Sequence, residues 1–308
     1  MRIAAMAAGA VGGYFGARMA AAGHDVFFIA RGANLAAMKA NGLKIESVHG
    51  DLHLPKPNVT DDPASVGPVD IVLFAVKLWD TEKAAEQTKP LVGPATRVIT
   101  LQNGIDSVDR IAPILGADQT VGGAAYIATT IAAPGLIKQT SNFAMMRFAR
   151  ADKKADPMLQ AFLDAGLAAK IDVAMAADIT RELWQKFSFL AAMAGATSAL
   201  HSSIGPIAAD PELLGFFRRL MEEAFAIAKA KGVALDPAYL EERIKFVQTK
   251  VEPGMKASMA HDLERGNRLE LDWLNGRIRE LGRALNIPTP AHDTVYTVLK
   301  LHRNGRPK

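Results

Sequence analysis

Cysteine is absent from the 308-residue chain. Its absence excludes disulfide bridges, thiolate metal ligands and a cysteine nucleophile, and it is compatible with a reducing cytoplasm, where we expect the protein. Long hydrophobic runs are missing as well, because no stretch of about 18 uncharged apolar residues occurs, so we expect no contact with a membrane. The seven histidines form no HExxH motif, and we predict no metal site.

A strong charge excess is also lacking. The chain has 36 Lys and Arg against 32 Asp and Glu, a net charge of +4, and the basic residues form no block longer than pairs such as Lys153-Lys154. We therefore expect no nucleic-acid partner. Apolar residues make up 49% of the chain, which is enough for a folded protein of about two domains. The acidic pairs Asp61-Asp62 and Glu222-Glu223 are interpreted as solvated.

The first half alternates between short apolar runs and helical stretches, which is typical of an α/β domain with a doubly wound parallel sheet. Pieces with strand propensity then follow between residues 120 and 150, broken at Pro134-Gly135 and Ser141-Asn142, and predict an antiparallel extension of the sheet. The four runs predicted as buried strands are residues 3–6, 26–30, 71–76 and 98–101.

From about residue 178 the pattern is helical throughout. Asp210-Pro211 is a helix start, Gly232 fits a helix end, and Thr289-Pro290 opens a last helix. The sequence thus predicts a Rossmann-like dinucleotide-binding domain over 1–175 and an all-α domain over 176–308.

A dinucleotide-binding fingerprint lies between the first predicted strand and the first predicted helix. Gly9 lets the backbone approach a pyrophosphate, and Gly12 lets helix and strand pack closely. Ala7 replaces the first glycine of the motif, at a cost of about 1 kcal/mol if the position needs a positive φ. A plain tight turn is the alternative interpretation. The predicted cofactor-binding residues here are Ala7, Gly9, Ala10, Val11 and Gly12.

The end of the second predicted strand distinguishes NADP from NAD. An NAD enzyme would place Asp or Glu there, whereas this chain has Arg31, whose guanidinium can bind a 2′-phosphate. Lys77 follows the third run and would add charge at the same sheet edge. The sequence predicts NADP(H), and a solvated surface arginine is the alternative for Arg31.

Lys186 and Glu270 in the helical half are candidates for reduction of a carbonyl group. A lysine can donate a proton to the forming alkoxide, and a carboxylate can orient the substrate or adjust the pKa of the lysine. Spacing alone does not establish this role, because either residue could be a solvated helix residue.

Several motifs resemble those of the ketopantoate reductase (2-dehydropantoate 2-reductase) family, in the same order and over nearly the whole chain. The motifs are Gly9-Ala10-Val11-Gly12-Gly13-Tyr14-Phe15-Gly16, Arg31-Gly32, Val76-Lys77, Gln102-Asn103-Gly104, Trp184-x-Lys186, Ser258-Met259 with Asp262, and Glu270.

The resemblance implies a Rossmann domain joined to a helical domain, with the active site in the cleft, and a step of pantothenate biosynthesis. It implies that Lys186 is the general acid, that Asn103 positions substrate and nicotinamide, and that Ser258 and Glu270 contact the substrate. Arg31 and Lys77 would hold the 2′-phosphate.

Two positions depart from the family. Members that make pantoate typically carry Asn four and eight residues after the lysine, where this chain has Leu190 and Ala194. Both positions fall on the helix stripe of Lys186, so the substrate-binding wall would be apolar. Either the stripe packs in the core, or the substrate is a 2-oxo acid or ketone with a more apolar tail.

The sequence therefore predicts NADPH-dependent reduction of a 2-oxo acid, either ketopantoate or a close analogue. A reductase of a different, more apolar ketone and a non-catalytic NADP-binding redox sensor are the alternatives. A homodimer formed through helical surfaces is one option that the sequence leaves open.

Overall fold

The computed structural model describes residues 1–307, which form two compact units, Met1–Glu182 and a second unit that begins at Leu183. The first unit is built on one ten-stranded sheet. Its elements are β1 (Arg2–Met6), α1 (Ala10–Ala21), β2 (Asp25–Ile29), α2 (Gly32–Asn41), β3 (Leu43–Glu46), β4 (Leu52–Leu54), β5 (Asn58–Thr60), β6 (Ile71–Phe74), α3 (Thr81–Thr88), β7 (Arg97–Thr100), α4 (Ser107–Leu115), β8 (Thr120–Ala133), β9 (Leu136–Ala149), α5 (Pro157–Ala168) and β10 (Asp172–Met175).

The sheet order is β4-β3-β9-β8-β7-β6-β1-β2-β5, and β10 pairs with β9. Strands β7, β6, β1, β2 and β5 are mutually parallel, and the four predicted apolar runs form β1, β2, β6 and β7. Side chains of β1 alternate between the two faces: Ile3 and Ala5 join a core with α1 and α5, whereas Ala4 and Met6 join a core with α3 and α4. The predicted α/β fold class of this half is confirmed.

The antiparallel extension exists, and both of its predicted breaks mark places where the pairing is interrupted. Strands β8 and β9 pair antiparallel around the turn at Pro134-Gly135. At Ser141-Asn142 strand β9 continues but its pairing does not, because Ile127 pairs with Ala144 and Thr129 with Gln139, which leaves residues 140–143 opposite Ala128. The Ser141 hydroxyl accepts a hydrogen bond from the Ala128 N–H at 3.0 Å and donates one to the Phe143 carbonyl at 2.7 Å, which satisfies backbone groups at the irregularity.

The second unit is helical, and an isolated bridge between Arg268 and Asn304 is the one β pairing among its described residues. Helix α8 begins after Asp210 and ends before Gly232, as predicted. The Asp210 carboxylate accepts hydrogen bonds from the N–H groups of Glu212 and Leu213. The helices are α6 (Ile179–Ala199), which starts in the first unit, α7 (Ile204–Ala209), α8 (Pro211–Ala230), α9 (Pro237–Thr249), α10 (Ser258–Arg265), α11 (Asn275–Leu285) and α12 (Pro290–Leu299).

One member of the acidic pair Glu222-Glu223 is not solvated as expected, whereas Glu222 is exposed. Glu223 is buried, and its carboxylate accepts hydrogen bonds from the N–H groups of Ala291 at 2.7 Å and His292 at 3.0 Å. It therefore caps the start of α12 from a distant helix, where the first N–H groups lack partners within their own helix. Desolvation raises the pKa of Glu223 above its ordinary value.

Within residues 1–307, none of the helices combines the length and the apolar character that a membrane span requires.

Candidate functional site

Four predicted site residues follow the carboxyl ends of adjacent parallel strands. Ala7 follows β1, Arg31 follows β2, Lys77 follows β6 and Asn103 follows β7. Strand β1 lies between β2 and β6, so the chain order reverses at β1. Open α/β sheets bind their ligands at such a switch point, outside the carboxyl ends of the strands. The fold thus brings these four residues to the edge where a dinucleotide is expected.

The loop after β1 has the shape that a pyrophosphate requires. Ala7 adopts a φ of 64°, the left-handed conformation that the first glycine of the motif normally takes. A Cβ on Gly12 would lie 2.6 Å from the Ala7 carbonyl oxygen, so helix and strand approach too closely for any side chain. A Cβ on Gly9 would meet no atom nearer than 4.0 Å, which leaves open space above the loop. The residues present fit a bound dinucleotide phosphate.

Arg31 lies at the N-cap of α2 with an exposed side chain. Its guanidinium Nη2 donates to the side-chain oxygen of Gln87 in α3. This contact links the start of α2 to α3, the helix that follows β6. The Lys77 ammonium lies 5.5 Å from the ring centre of Trp79.

Gln102 connects the loops after β6 and β7. Its side-chain nitrogen donates to the Val76 carbonyl at 3.1 Å and to the Thr81 hydroxyl at 2.8 Å, and the residue is buried. Val76 directly precedes Lys77, and Gln102 directly precedes Asn103. These hydrogen bonds therefore fix the positions of Lys77 and Asn103 relative to each other.

In the second unit, α6 carries three predicted site residues on one stripe. Lys186, Leu190 and Ala194 are spaced four apart in a continuous helix, so they lie on the same face. Lys186 and Leu190 are half-buried, and Ala194 is 1% exposed. At its N-terminus, α6 is capped by the Asp178 carboxylate, which accepts from the Arg181 N–H at 3.0 Å, and this bond lowers the pKa of Asp178.

Ser258 and Glu270 lie in segments that hydrogen bonds tie to α6. Ser258 is the exposed first residue of α10, and the preceding Ala257 N–H donates to the Thr197 hydroxyl of α6 at 3.3 Å. Glu270 is 5% exposed, just ahead of α11. The Asn275 side chain, one turn further on, donates to the Ala191 carbonyl of α6 at 3.0 Å.

Asn275 also connects α6 to a buried histidine. Its Nδ2 lies 3.0 Å from Nδ1 of His292, and Nε2 of His292 lies 2.9 Å from the Leu220 carbonyl oxygen. The carbonyl can only accept, so His292 carries its proton on Nε2 and accepts from Asn275 on Nδ1. Burial lowers the pKa of His292 from 6.5 to about 4.

Sequence reasoning assigned no role to Gln102, Asn34, Gln87 or Asn275. Each contacts a segment distant in sequence, and no local motif marks Asn34, Gln87 or Asn275. The Gln102-Asn103-Gly104 motif was the one local signal for Gln102. Among residues 1–307, no group of three or more His, Asp or Glu side chains could hold a metal ion.

Comparison with known proteins covers both units. The family model described as "Ketopantoate reductase PanE/ApbA" matches residues 3–152, and the model of its C-terminal part matches residues 178–303. A 2-dehydropantoate 2-reductase of Mesorhizobium japonicum is 31% identical over 97% of each chain.

Solved structures share the fold. A PanE/ApbA family ketopantoate reductase from Ralstonia eutropha JMP134 superposes with a TM-score of 0.88 at 31% identity, covering 98% of each chain. A D-mandelate dehydrogenase in a ternary structure with NADH and anilino(oxo)acetate superposes with a TM-score of 0.90 at 19% identity, again over 98% of each chain. At that identity the second likeness concerns the fold alone.

Proposed function

Because the chain belongs to the ketopantoate reductase family, we propose that it reduces a 2-oxo acid to a 2-hydroxy acid with NADPH. The substrate is ketopantoate or a close analogue. The observation that carries the proposal is the position of Lys186, a half-buried ammonium on a helix stripe that continues with Leu190 and Ala194. Its test is NADPH oxidation in the presence of 2-oxo acids.

A bound nicotinamide supplies the hydride for the keto carbon. Lys186 donates a proton from Nζ to the keto oxygen as negative charge develops there, and its positive charge stabilises that oxygen in the transition state. Glu270 is a buried carboxylate that orients the substrate, and Ser258 and Asn103 offer hydrogen bonds to it.

Arg31 supports NADPH as the preferred cofactor. The chain has no acidic residue between Ile29 and Asn34, where a ribose 2′-hydroxyl would need a carboxylate. The contact with Gln87 orients the guanidinium, which can then bind a 2′-phosphate through paired hydrogen bonds. The D-mandelate dehydrogenase structure contains NADH, so this fold also serves the other cofactor.

The cofactor preference is tested by the dissociation constants of NADPH and NADH for the wild type and Arg31→Ala. We expect the wild type to prefer NADPH and the variant to lose most of that preference. Lys39→Ala is the matched control, because Lys39 is exposed on the same helix and its loss should not change the preference. Equal affinities of the wild type for both cofactors would refute the proposal.

Leu190 and Ala194 favour a second candidate, a reductase of a 2-oxo acid with a more apolar tail. An apolar wall offers no partners to the substrate hydroxyl of ketopantoate, and each unmet buried hydrogen bond costs about 1–3 kcal/mol. The assay of NADPH oxidation should therefore compare ketopantoate with branched aliphatic and aromatic 2-oxo acids. Efficient turnover of ketopantoate contradicts this second candidate, whereas cofactor binding without turnover of any member would favour the redox sensor.

A further inference from the structure

Asn34 contacts the loop that follows β1. It is the third residue of α2, and its Nδ2 donates to the Ala8 carbonyl oxygen at 3.0 Å. Its Oδ1 accepts from the Gly135 N–H at 2.8 Å, in the turn between β8 and β9. A carbonyl can only accept and an N–H can only donate, so the two partners fix the orientation of the amide. One side chain thus joins the loop, α2 and the hairpin turn.

The peptide group between Ala8 and Gly9 is consequently held in one orientation. Ala8 is buried, and its own N–H donates to the Ile29 carbonyl at 2.8 Å. None of the peptide bonds within residues 1–307 is cis, so the Ala8 carbonyl and the Gly9 N–H point in opposite directions. Because the carbonyl points to Asn34, the Gly9 N–H points away from α2. Gly9 is the N-cap of α1, where N–H groups face a bound anion.

We propose that Asn34 is a positioning residue for the dinucleotide. It sets the direction of the Gly9 N–H, and it fixes that group relative to Arg31 at the start of its own helix. The inference rests on the proposed function, since it requires a nicotinamide dinucleotide at this loop. The pyrophosphate is common to NADPH and NADH, so loss of the Asn34 side chain should weaken the binding of both cofactors equally. Loss of the Arg31 side chain should weaken the binding of NADPH alone.

The test measures the dissociation constants of NADPH and NADH for Asn34→Ala by the fluorescence of the reduced nicotinamide. We expect both constants to rise about tenfold, the size of effect that an unsatisfied buried carbonyl produces. At saturating NADPH, kcat should stay within twofold of wild type while KM for the cofactor rises. Asn41→Ala is the matched control, because that side chain is exposed on the same helix, and it should leave both constants unchanged.

Hydrogen exchange separates positioning from general destabilisation. In Asn34→Ala the amides of residues 7–12 should exchange faster without ligand, while those in the interior of β1 keep their protection. If Asn34→Ala does not fold, the same dissociation constants are measured for Asn34→Asp at high salt. This variant keeps the acceptor for the Gly135 N–H but loses the donor to the Ala8 carbonyl, and the salt screens its added charge.

Unchanged constants for both cofactors in a folded Asn34 variant would overturn the inference, as would a loss confined to NADPH. A wild type that binds neither cofactor would instead overturn the proposed function itself.

Discussion

A Cβ atom on Gly12 would lie 2.6 Å from the carbonyl oxygen of Ala7. This close approach joins the first turn of α1 to the end of β1, where Ala7 adopts a left-handed conformation. The geometry of the loop therefore depends on two residues, one that must lack a side chain and one that tolerates strain.

Replacing Gly12 with alanine should disrupt the loop. The new methyl group would contact a backbone carbonyl, which cannot move as a flexible side chain can, so we expect a loss of about 1–3 kcal/mol in the free energy of unfolding and at least tenfold weaker NADPH binding. Denaturant unfolding and cofactor titration measure the two effects. Gly215→Ala is the control, because it is also helical and its Cβ would have an ordinary contact at 3.6 Å. Wild-type behaviour of Gly12→Ala would contradict the description of the loop.

Replacing Ala7 with glycine should stabilise the protein. Glycine adopts a φ of 64° without the steric cost that alanine bears, so the free energy of unfolding should rise by about 1 kcal/mol. Ala8→Gly is the control: Ala8 is buried with an ordinary φ, and its substitution should destabilise. A fall in stability for Ala7→Gly would show that packing of the methyl group outweighs the strain.

Stability should fall between pH 6.5 and about pH 4 because of His292. Its pKa is lowered from 6.5 to about 4 in the folded state, so in this window the unfolded chain binds a proton that the folded chain does not. The contribution of His292 to the free energy of unfolding is therefore fully present above pH 6.5. It decreases by about 3 kcal/mol as the pH falls to 4.

This dependence is measured as the difference in free energy of unfolding between the wild type and His292→Gln across pH 4–7. Glu223 and the other carboxylates are present in both proteins, so the difference isolates His292. A parallel pH dependence of wild type and His292→Gln would show that His292 titrates normally.

The central strands β1, β2, β6 and β7 could be predicted from the sequence, because each of these buried parallel strands is a continuous apolar run. Strands β3, β4, β5 and β10 were not predicted: they are short, three or four residues each, and partly exposed. The burial of Glu223 could not be predicted either, because its partners lie 68 and 69 residues away. The positions of Arg31 and Lys77 followed from strand order, whereas the contacts of Asn34 and Gln102 depend on three-dimensional packing.

An amide at position 190 should shift the substrate preference. In Leu190→Asn a hydrogen-bonding group lies one helical turn from Lys186, so kcat/KM for ketopantoate should rise about tenfold relative to that for an apolar 2-oxo acid. Leu200→Asn, half-buried just beyond α6, is the control and should leave the ratio unchanged. If Leu190→Asn leaves the ratio unchanged, the stripe packs in the core and other residues select the substrate.

The central claim is that Lys186 donates the proton during reduction of a 2-oxo acid, and single-turnover NADPH oxidation by Lys186→Ala tests it most directly. We predict a rate at least about 100-fold below wild type, with the NADPH dissociation constant unchanged within twofold. Lys186→Arg should also be slow, because a guanidinium keeps the charge but holds its proton too tightly to donate it. A wild-type rate in Lys186→Ala on the best 2-oxo acid would contradict the account.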